Sequence, residues 1–445
     1  MSGIILNSLD LSGAIKAVRA LEKNVDYCDA IQIYTKSISC AYRFLSQEIS
    51  TYSDSTVYLR TWSNGVWSIL SSNVSNFTEL LKKKSTMRRY ATGHSGEMYK
   101  VHPVKGTFSL GDNELMTEDE VLDILKTCIN TIESKSRTRK ASSEVSFTHT
   151  ISRKLVINSD GSQYIESRGL AEIAIYLISG EHVAGEYSAF LSIDHLKDTI
   201  EDMVEGALER LRAMATARPL NPLLYNTKQS VILDYMNSGA LFHEIVHMLE
   251  ADRIILFKRY IRRTQVLSDE LTIIDDPTIT WAVGSMKVDD EGVLCRPKHL
   301  IENGRIVNLL HTRWTASVLN SEPMGNARGI SVMPRPMQTN LVIRPGDWRL
   351  EEMIEETRRG FILEGLVKAE LHPDGVIVLE PEIARVVERG EIKNSVKIRR
   401  VLIPLKALLD IDAVGKRLYY RASIEKTFTI SELTPYIRLS YAYIT

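Results

Sequence analysis

The chain has 445 residues, 44% hydrophobic and 25% charged, the mix of an ordinary globular protein, at a length that suits two or three domains. With Lys+Arg 55 against Asp+Glu 56 the formal net charge is −1, which excludes a global electrostatic footprint for nucleic acid or an anionic membrane. Gly 24 and Pro 13 exclude collagen-like and low-complexity chains. The cysteines (Cys28, Cys40, Cys128, Cys295) are too few and too scattered for a disulfide scaffold and fit a reducing cytosol.

At the start of the chain, Asp10, Lys16 and Arg19 interrupt the apolar positions at helical spacing, which predicts an amphipathic helix and no targeting segment. No stretch of about 18 consecutive apolar residues occurs, so no membrane-spanning helix is predicted and the expected location is the cytoplasm. DAIQIYTKSISCAYRF predicts a strand region. VYLRTWS and VWSIL, joined by Asn64-Gly65, predict a hairpin, because both turn residues tolerate positive φ. Lys82-Lys83-Lys84 reads as a solvated helix end. Residues 92–116, rich in Gly and polar side chains, read as a linker between a first segment, 1–91, and a second, 117–218.

Thr117 with Glu120 makes a capping box, and Val121, Leu125, Cys128 and Ile132 line one face of the helix it opens, which makes Cys128 a core thiol. Two long strands flank Ser159-Asp160-Gly161, and a helix runs from about His195 to Met214. Arg218-Pro219-Leu220-Asn221-Pro222 breaks the pattern and marks the main domain boundary. Beyond it, QSVILDY is a strand and SGALFHEIVHMLEADR a single helix, with Asn237-Ser238 as its cap. LIENGRIVNLL folds over Asn303-Gly304, and GVIVLE, ARVVERGEIKN and IRRVLIPL are further strands. The reading is an α+β protein: an N-terminal mixed α/β part, then a strand-rich C-terminal domain, 219–445, that carries the chemistry.

That chemistry lies in His243-Glu244-Ile245-Val246-His247, an H-E-x-x-H. Four residues advance an α-helix by about 400°, so the two imidazoles project within about 40° of each other. Two neutral imidazoles one turn apart can reach one Zn²⁺, and Glu244 beside them can take a proton from water and pass it to a leaving amine. A chain with His 10 and Asp+Glu 56 carries this pattern by chance roughly 0.03 times. Local hydrogen bonding of two helix histidines is the competing account. His247 is followed by MLEADRIILF, without the Gly and third His of the longer metzincin motif.

FHEIVHMLEAD resembles the TldD/PmbA family of metalloproteases, once labelled modulators of DNA gyrase. VDDEG (288–292), LIENGRIVNLLHTRWTA, MGNARG (324–329), MPRPMQTNLVI (333–343) and ARVVERGEIKNSVKI follow in the family's order. The Asn-Gly hairpin and the strand pair around NSDG fit the family's layout, so the resemblance covers most of the chain. It implies the TldD-like branch, which has the metal motif where the PmbA-like branch lacks it. It further implies a zinc peptidase of small or unfolded peptides, working as a homodimer or as a heterodimer with a PmbA/TldE-like subunit. His243 and His247 carry over as metal ligands and Glu244 as the general base. Glu250 and Asp252 match the acidic positions after the second His.

Two departures stand out. The family spaces its histidines as H-E-x-x-x-H, one residue longer than here. Its third ligand is a Cys near the C-terminus, and the matching stretch, Tyr419 to Phe428, has none; its one ligand-type side chain is Glu425. The expectation is therefore a third ligand from elsewhere, with Cys295 and Glu250 ahead of His299 and His311. Glu250 has the alternative role of accepting a hydrogen bond from a ligating imidazole. The missing Cys also supports a second reading, a catalytically weakened scaffold or partner subunit that binds peptide without cutting it.

Overall fold

The computed structural model describes residues 9–43, 46–73, 76–136, 142–258 and 265–445. Its first half is built on an eight-stranded sheet, in the order Arg88–Ala91, Val66–Ser72, Ser46–Ser63, Tyr27–Arg43, Ser142–Asn158, Gln163–Ser179. Lys105–Leu110 and His182–Phe190 share the outer edge of the last of these strands, one along each half. The Asn-Gly hairpin forms as expected: Ser63 pairs with Val66, and Asn64 and Gly65 take φ of 45° and 81°. Positive φ at both central residues gives the turn the twist of its flanking strands.

Alternation along the strands decides what each face of the sheet covers. Cys28, Ala30, Ile38 and Cys40 point to the helices Leu11–Leu21, Phe77–Lys82, Glu118–Lys135 and Ile193–Thr216. The capping box of Thr117 and Glu120 is present, and Cys128 is fully buried in that core. Tyr27 and Ile31, on the opposite face, meet Trp314 and Val288 of the second half. On the same face Asp29 pairs with Arg60 at 2.6 Å, and Arg60 Nη1 donates to the Gly329 carbonyl at 2.7 Å, so a buried ion pair ties the two halves together.

Two expectations about organisation change. The segment 92–116, read as a linker, contains the strand Lys105–Leu110. It pairs in parallel with Gln163–Ser179, a partner that local composition does not reveal. Residues 1–91 and 117–218 also share one sheet, since Tyr27–Arg43 pairs along its length with Ser142–Asn158.

The second half contains a closed ring of five strands. Lys228–Leu233 lies between Arg359–Leu371 and Ile437–Ile444; Val401–Pro404 and Val376–Glu388 follow, and the last pairs back to Arg359–Leu371. Val231, Leu233, Leu363, Ile377, Ile403 and Leu439 fill its core. A six-stranded sheet stands beside it and ends in the edge strand Tyr419–Glu425, which among the described residues pairs only to Phe428–Thr434. The hairpin over Asn303-Gly304 lies at the other end of this sheet. Among the described residues no helix is long and apolar enough to cross a membrane.

Candidate metal centre

The H-E-x-x-H segment closes the helix Tyr235–Val246, with His247 as its C-cap, and this helix leaves the central ring strand at Leu233. Its cap is Asp234, whose carboxylate accepts from Asn237 N at 2.8 Å, and not Asn237-Ser238, which lie buried inside the first turns. Asp234 Oδ2 also accepts from Gly365 N, and Asn237 Nδ2 donates to Gly365 O, each at 2.8 Å, so the helix start is fixed to Arg359–Leu371. Ser238 Oγ donates to the Pro435 carbonyl at 2.9 Å, just past the hairpin strand Phe428–Thr434. A side chain at Gly239 would stand 3.1 Å from Arg421 Cδ, so glycine lets the helix approach this hairpin.

The expected single helix is two. The α-helix ends at Val246, His247–Leu249 is a 3₁₀ turn, and Ala251–Leu256 is a second short helix. The break turns Glu250 back towards its own histidine. His247 Nδ1 stands 2.6 Å from Glu250 Oε1, and His243 Nδ1 stands 2.8 Å from Glu432 Oε1. With Nδ1–H donated to a carboxylate, each imidazole presents its Nε2 lone pair in a fixed direction.

Both Nε2 atoms face one oxygen. Glu425 Oε2, at the end of the edge strand, lies 3.6 Å from His243 Nε2 and 3.7 Å from His247 Nε2. These separations exceed a hydrogen bond and suit donors arranged around an ion. Donor atoms of His243, His247 and Glu425 all fall within 4.8 Å of one another. Among the described residues, the side chain placed to act as a third donor therefore lies on the C-terminal hairpin, against expectation. Cys295 packs with Leu110, Leu191 and Met286, and burial pushes its thiol well up. Glu250 is the acceptor of His247. His311 bonds Thr315 inside the protein, and His299 faces Glu302 at the surface.

Electrostatics match this arrangement. Burial opposes a charged imidazole at His247, but the carboxylates of Glu250 and Glu425 prevail and push it up to about 9. Burial likewise opposes charge on His243, and Glu425 and Glu432 raise it. The two imidazoles hold the Glu425 carboxyl well below the usual carboxylate range. Burial alone would raise Glu432; Arg421 and His243 overcome it and lower it. Three carboxylates around two imidazoles make a strongly cation-attracting centre.

Glu244 points away from these contacts. Its Oε2 accepts from Leu371 N at 2.9 Å, and it lines a groove of about 710 Å³ together with His243 and Glu425. Asp252, which matched a family position, accepts from Arg335 Nε at 2.7 Å and anchors the second short helix. The VDDEG segment is also a joint: Asp289 accepts from the backbone N–H of Glu291, Val293 and Ala327, over a turn in which Gly292 has φ 83°. Glu432 was missed by sequence reasoning, since nothing in TISELT sets it apart.

Residues 226–445 match the model of the PmbA/TldA metallopeptidase C-terminal domain, and residues 111–215 match that of the central domain. The chain is 28% identical over 390 residues to a metalloprotease of Methanocaldococcus jannaschii, a span of 83% of this chain and 85% of that protein. It is 25% identical over 303 residues to the zinc metalloprotease TldD homolog of Saccharolobus solfataricus, covering 65% of this chain and 67% of the relative. Among solved structures, TldE of Thermococcus kodakarensis matches 97% of this chain and 99% of its own with a TM-score of 0.76. At 18% identity that likeness speaks for the α+β fold alone.

Proposed function

We propose that this chain, which belongs to the PmbA/TldD metallopeptidase family, is a zinc-dependent peptidase of small or unfolded peptides. In this reading His243, His247 and Glu425 hold the metal and Glu244 moves the proton. The observation that carries it is the convergence of three donors within 4.8 Å, in a groove that Glu244 also lines. Two imidazoles and one carboxylate are a donor set of catalytic zinc, with a position left open. Zinc held there supplies Lewis acidity, which acidifies water and polarises a peptide carbonyl.

The protein's own groups do the rest. Glu250 and Glu432 keep both imidazoles in the tautomer that offers Nε2. Leu371 N–H holds one oxygen of Glu244, and the other accepts a proton from the attacking water and returns it to the leaving amine. The name of the Saccharolobus relative supports zinc. In this reading the working unit is two chains, as a homodimer or with a PmbA/TldE-like subunit. The scaffold reading drew on the missing C-terminal Cys, and a carboxylate facing both imidazoles weakens that argument.

Metal analysis of the purified chain, paired with a peptide-hydrolysis assay, tests the proposal. About one zinc per chain is expected, with activity lost on chelation and restored by zinc. A chain that takes up no zinc and cuts no unstructured peptide would overturn it.

A further inference from the structure

Single apolar side chains in water are ordinary on a protein surface; several converging on one groove are not. The groove that holds His243, Glu244 and Glu425 is lined by Tyr176, Val183, Val367 and Ile424. These are 47%, 48%, 69% and 57% exposed. Tyr176 and Val183 come from the neighbouring strands Gln163–Ser179 and His182–Phe190 of the first half. Val367 comes from Arg359–Leu371, and Ile424 directly precedes Glu425. Elements from both halves of the chain therefore build one apolar wall.

The wall is held in place. Gly185 stands opposite Tyr176 across the ladder, and a Cβ there would lie 3.1 Å from Tyr176 Cε1, so the tyrosine ring rests closely over the glycine. Gly185 N donates to Glu382 Oε1 at 3.1 Å, which ties this edge to the second half. The charged groups of the groove are already engaged. Glu186 and Glu382 pair with Arg210 at 2.7 and 2.6 Å, Arg421 with Glu432 at 2.8 Å, and Lys368 with Glu370 at 2.5 Å. Beyond the metal donors, Glu244 and these paired charges, the groove offers an incoming chain four exposed apolar side chains set among polar surface. Its volume of about 710 Å³ lies within the ordinary range of ligand clefts.

We infer that this wall is a specificity subsite that seats a large apolar side chain of the peptide, such as Leu, Ile, Phe or Met, beside the bond presented to the centre. The inference rests on the peptidase reading and names the substrate class within it. Binding tests it apart from turnover. The chelator-treated full chain, which cannot turn over, is titrated with labelled unstructured peptides of about ten residues that differ at one central position.

A Leu or Phe peptide should bind at least ~10-fold more tightly than its Ser counterpart, the scale on which apolar pockets discriminate. Val367→Ser and Tyr176→Ser should each reduce that ratio severalfold; both positions are exposed, and thermal melts check that the variants fold. Equal affinity for the Leu and Ser peptides overturns the inference. So does a ratio that neither variant moves, or a Tyr176→Ser variant that changes self-association and leaves the peptide ratio intact. Turnover by the zinc-loaded wild type is read separately. A binding preference without cleavage upholds the subsite and sinks the peptidase reading, whereas cleavage without any binding preference does the reverse.

Discussion

His243 and Glu432 are joined at 2.8 Å through Nδ1, and the same carboxylate accepts from Ser423 Oγ at 2.9 Å and Arg421 Nη1 at 2.8 Å. Glu432 is thus the fixed point against which the His243 imidazole is set. Glu432→Gln keeps the shape but places an amide nitrogen where one of its three donors now points. Zinc affinity should fall roughly 10- to 100-fold, the usual effect of removing an orienting partner. Competition against a zinc-sensitive dye measures it, and an unchanged affinity would show that the histidine holds its direction without help.

Glu244→Gln should keep zinc bound while peptide hydrolysis falls by about 10²- to 10⁴-fold. The amide can still accept from Leu371 N–H, but it cannot take a proton at neutral pH. Near wild-type turnover would remove Glu244 from the proton path.

The third donor separates sharply by substitution. Glu425→Gln, His243→Ala and His247→Ala should each lower zinc stoichiometry and activity together, and Cys295→Ser should leave both unchanged. Cobalt-substituted protein should show no sulfur-to-metal charge-transfer band, since among the described residues the side chains gathered at the proposed centre offer nitrogen and oxygen donors. A strong band of that kind would place a thiolate at the metal.

The metal-free protein should be more stable at about pH 6 than at about pH 9.5. The folded pKa of His247 is raised to about 9 from 6.5, so its share of stability is complete below about 6.5 and is lost as pH rises through about 9. Zinc should reverse the trend, because the ion needs neutral imidazoles and binds more tightly as protons leave. Urea midpoints with chelator and with zinc, at both pH values, give the sign. A metal-free midpoint that rises with pH would contradict the assignment.

Glu291 sets a second, independent pH dependence. Burial and the nearby Asp289 push its carboxyl up to about 8 from 4.5, and its Oε1 has no hydrogen-bond partner. A carboxyl raised in this direction takes stability away as pH climbs from about 4.5 towards 8. Glu291→Gln carries no such titration and should gain stability over wild type at about pH 8 and little at about pH 5. Denaturation curves at the two values decide it.

Local chemistry made much of this legible from sequence. Asn64-Gly65 and the Thr117–Glu120 box form because their own side chains and backbones decide the outcome, and the pairing of His243 with His247 follows from helical spacing alone. The parts that eluded sequence depend on distant partners. Lys105–Leu110 becomes a strand only because Gln163–Ser179 offers it an edge. Asp234 wins the cap because Gly365 N is there to share it. Glu425 was visible as the one ligand-type side chain in its stretch, but its place opposite both imidazoles depends on how the hairpin 419–434 docks, through Gly239, on the helix. A carboxylate is chemically acceptable to zinc, so the absence of the Cys that the family resemblance implies is a weak argument against a metal site.

The centre is divided between a helix and a hairpin far along the chain: His243 and Glu432 are 189 residues apart. At the ordinary pace of synthesis, about 5–20 residues per second, a ribosome works for roughly 10–40 s between making the first histidine and the carboxylate that orients it. Throughout that interval the nascent chain displays the H-E-x-x-H signature without the third donor or the Glu432 support. On the peptidase reading the chain is inert while it is being made, and unfolded neighbours emerging from the same polysome are spared until the hairpin 419–434 closes.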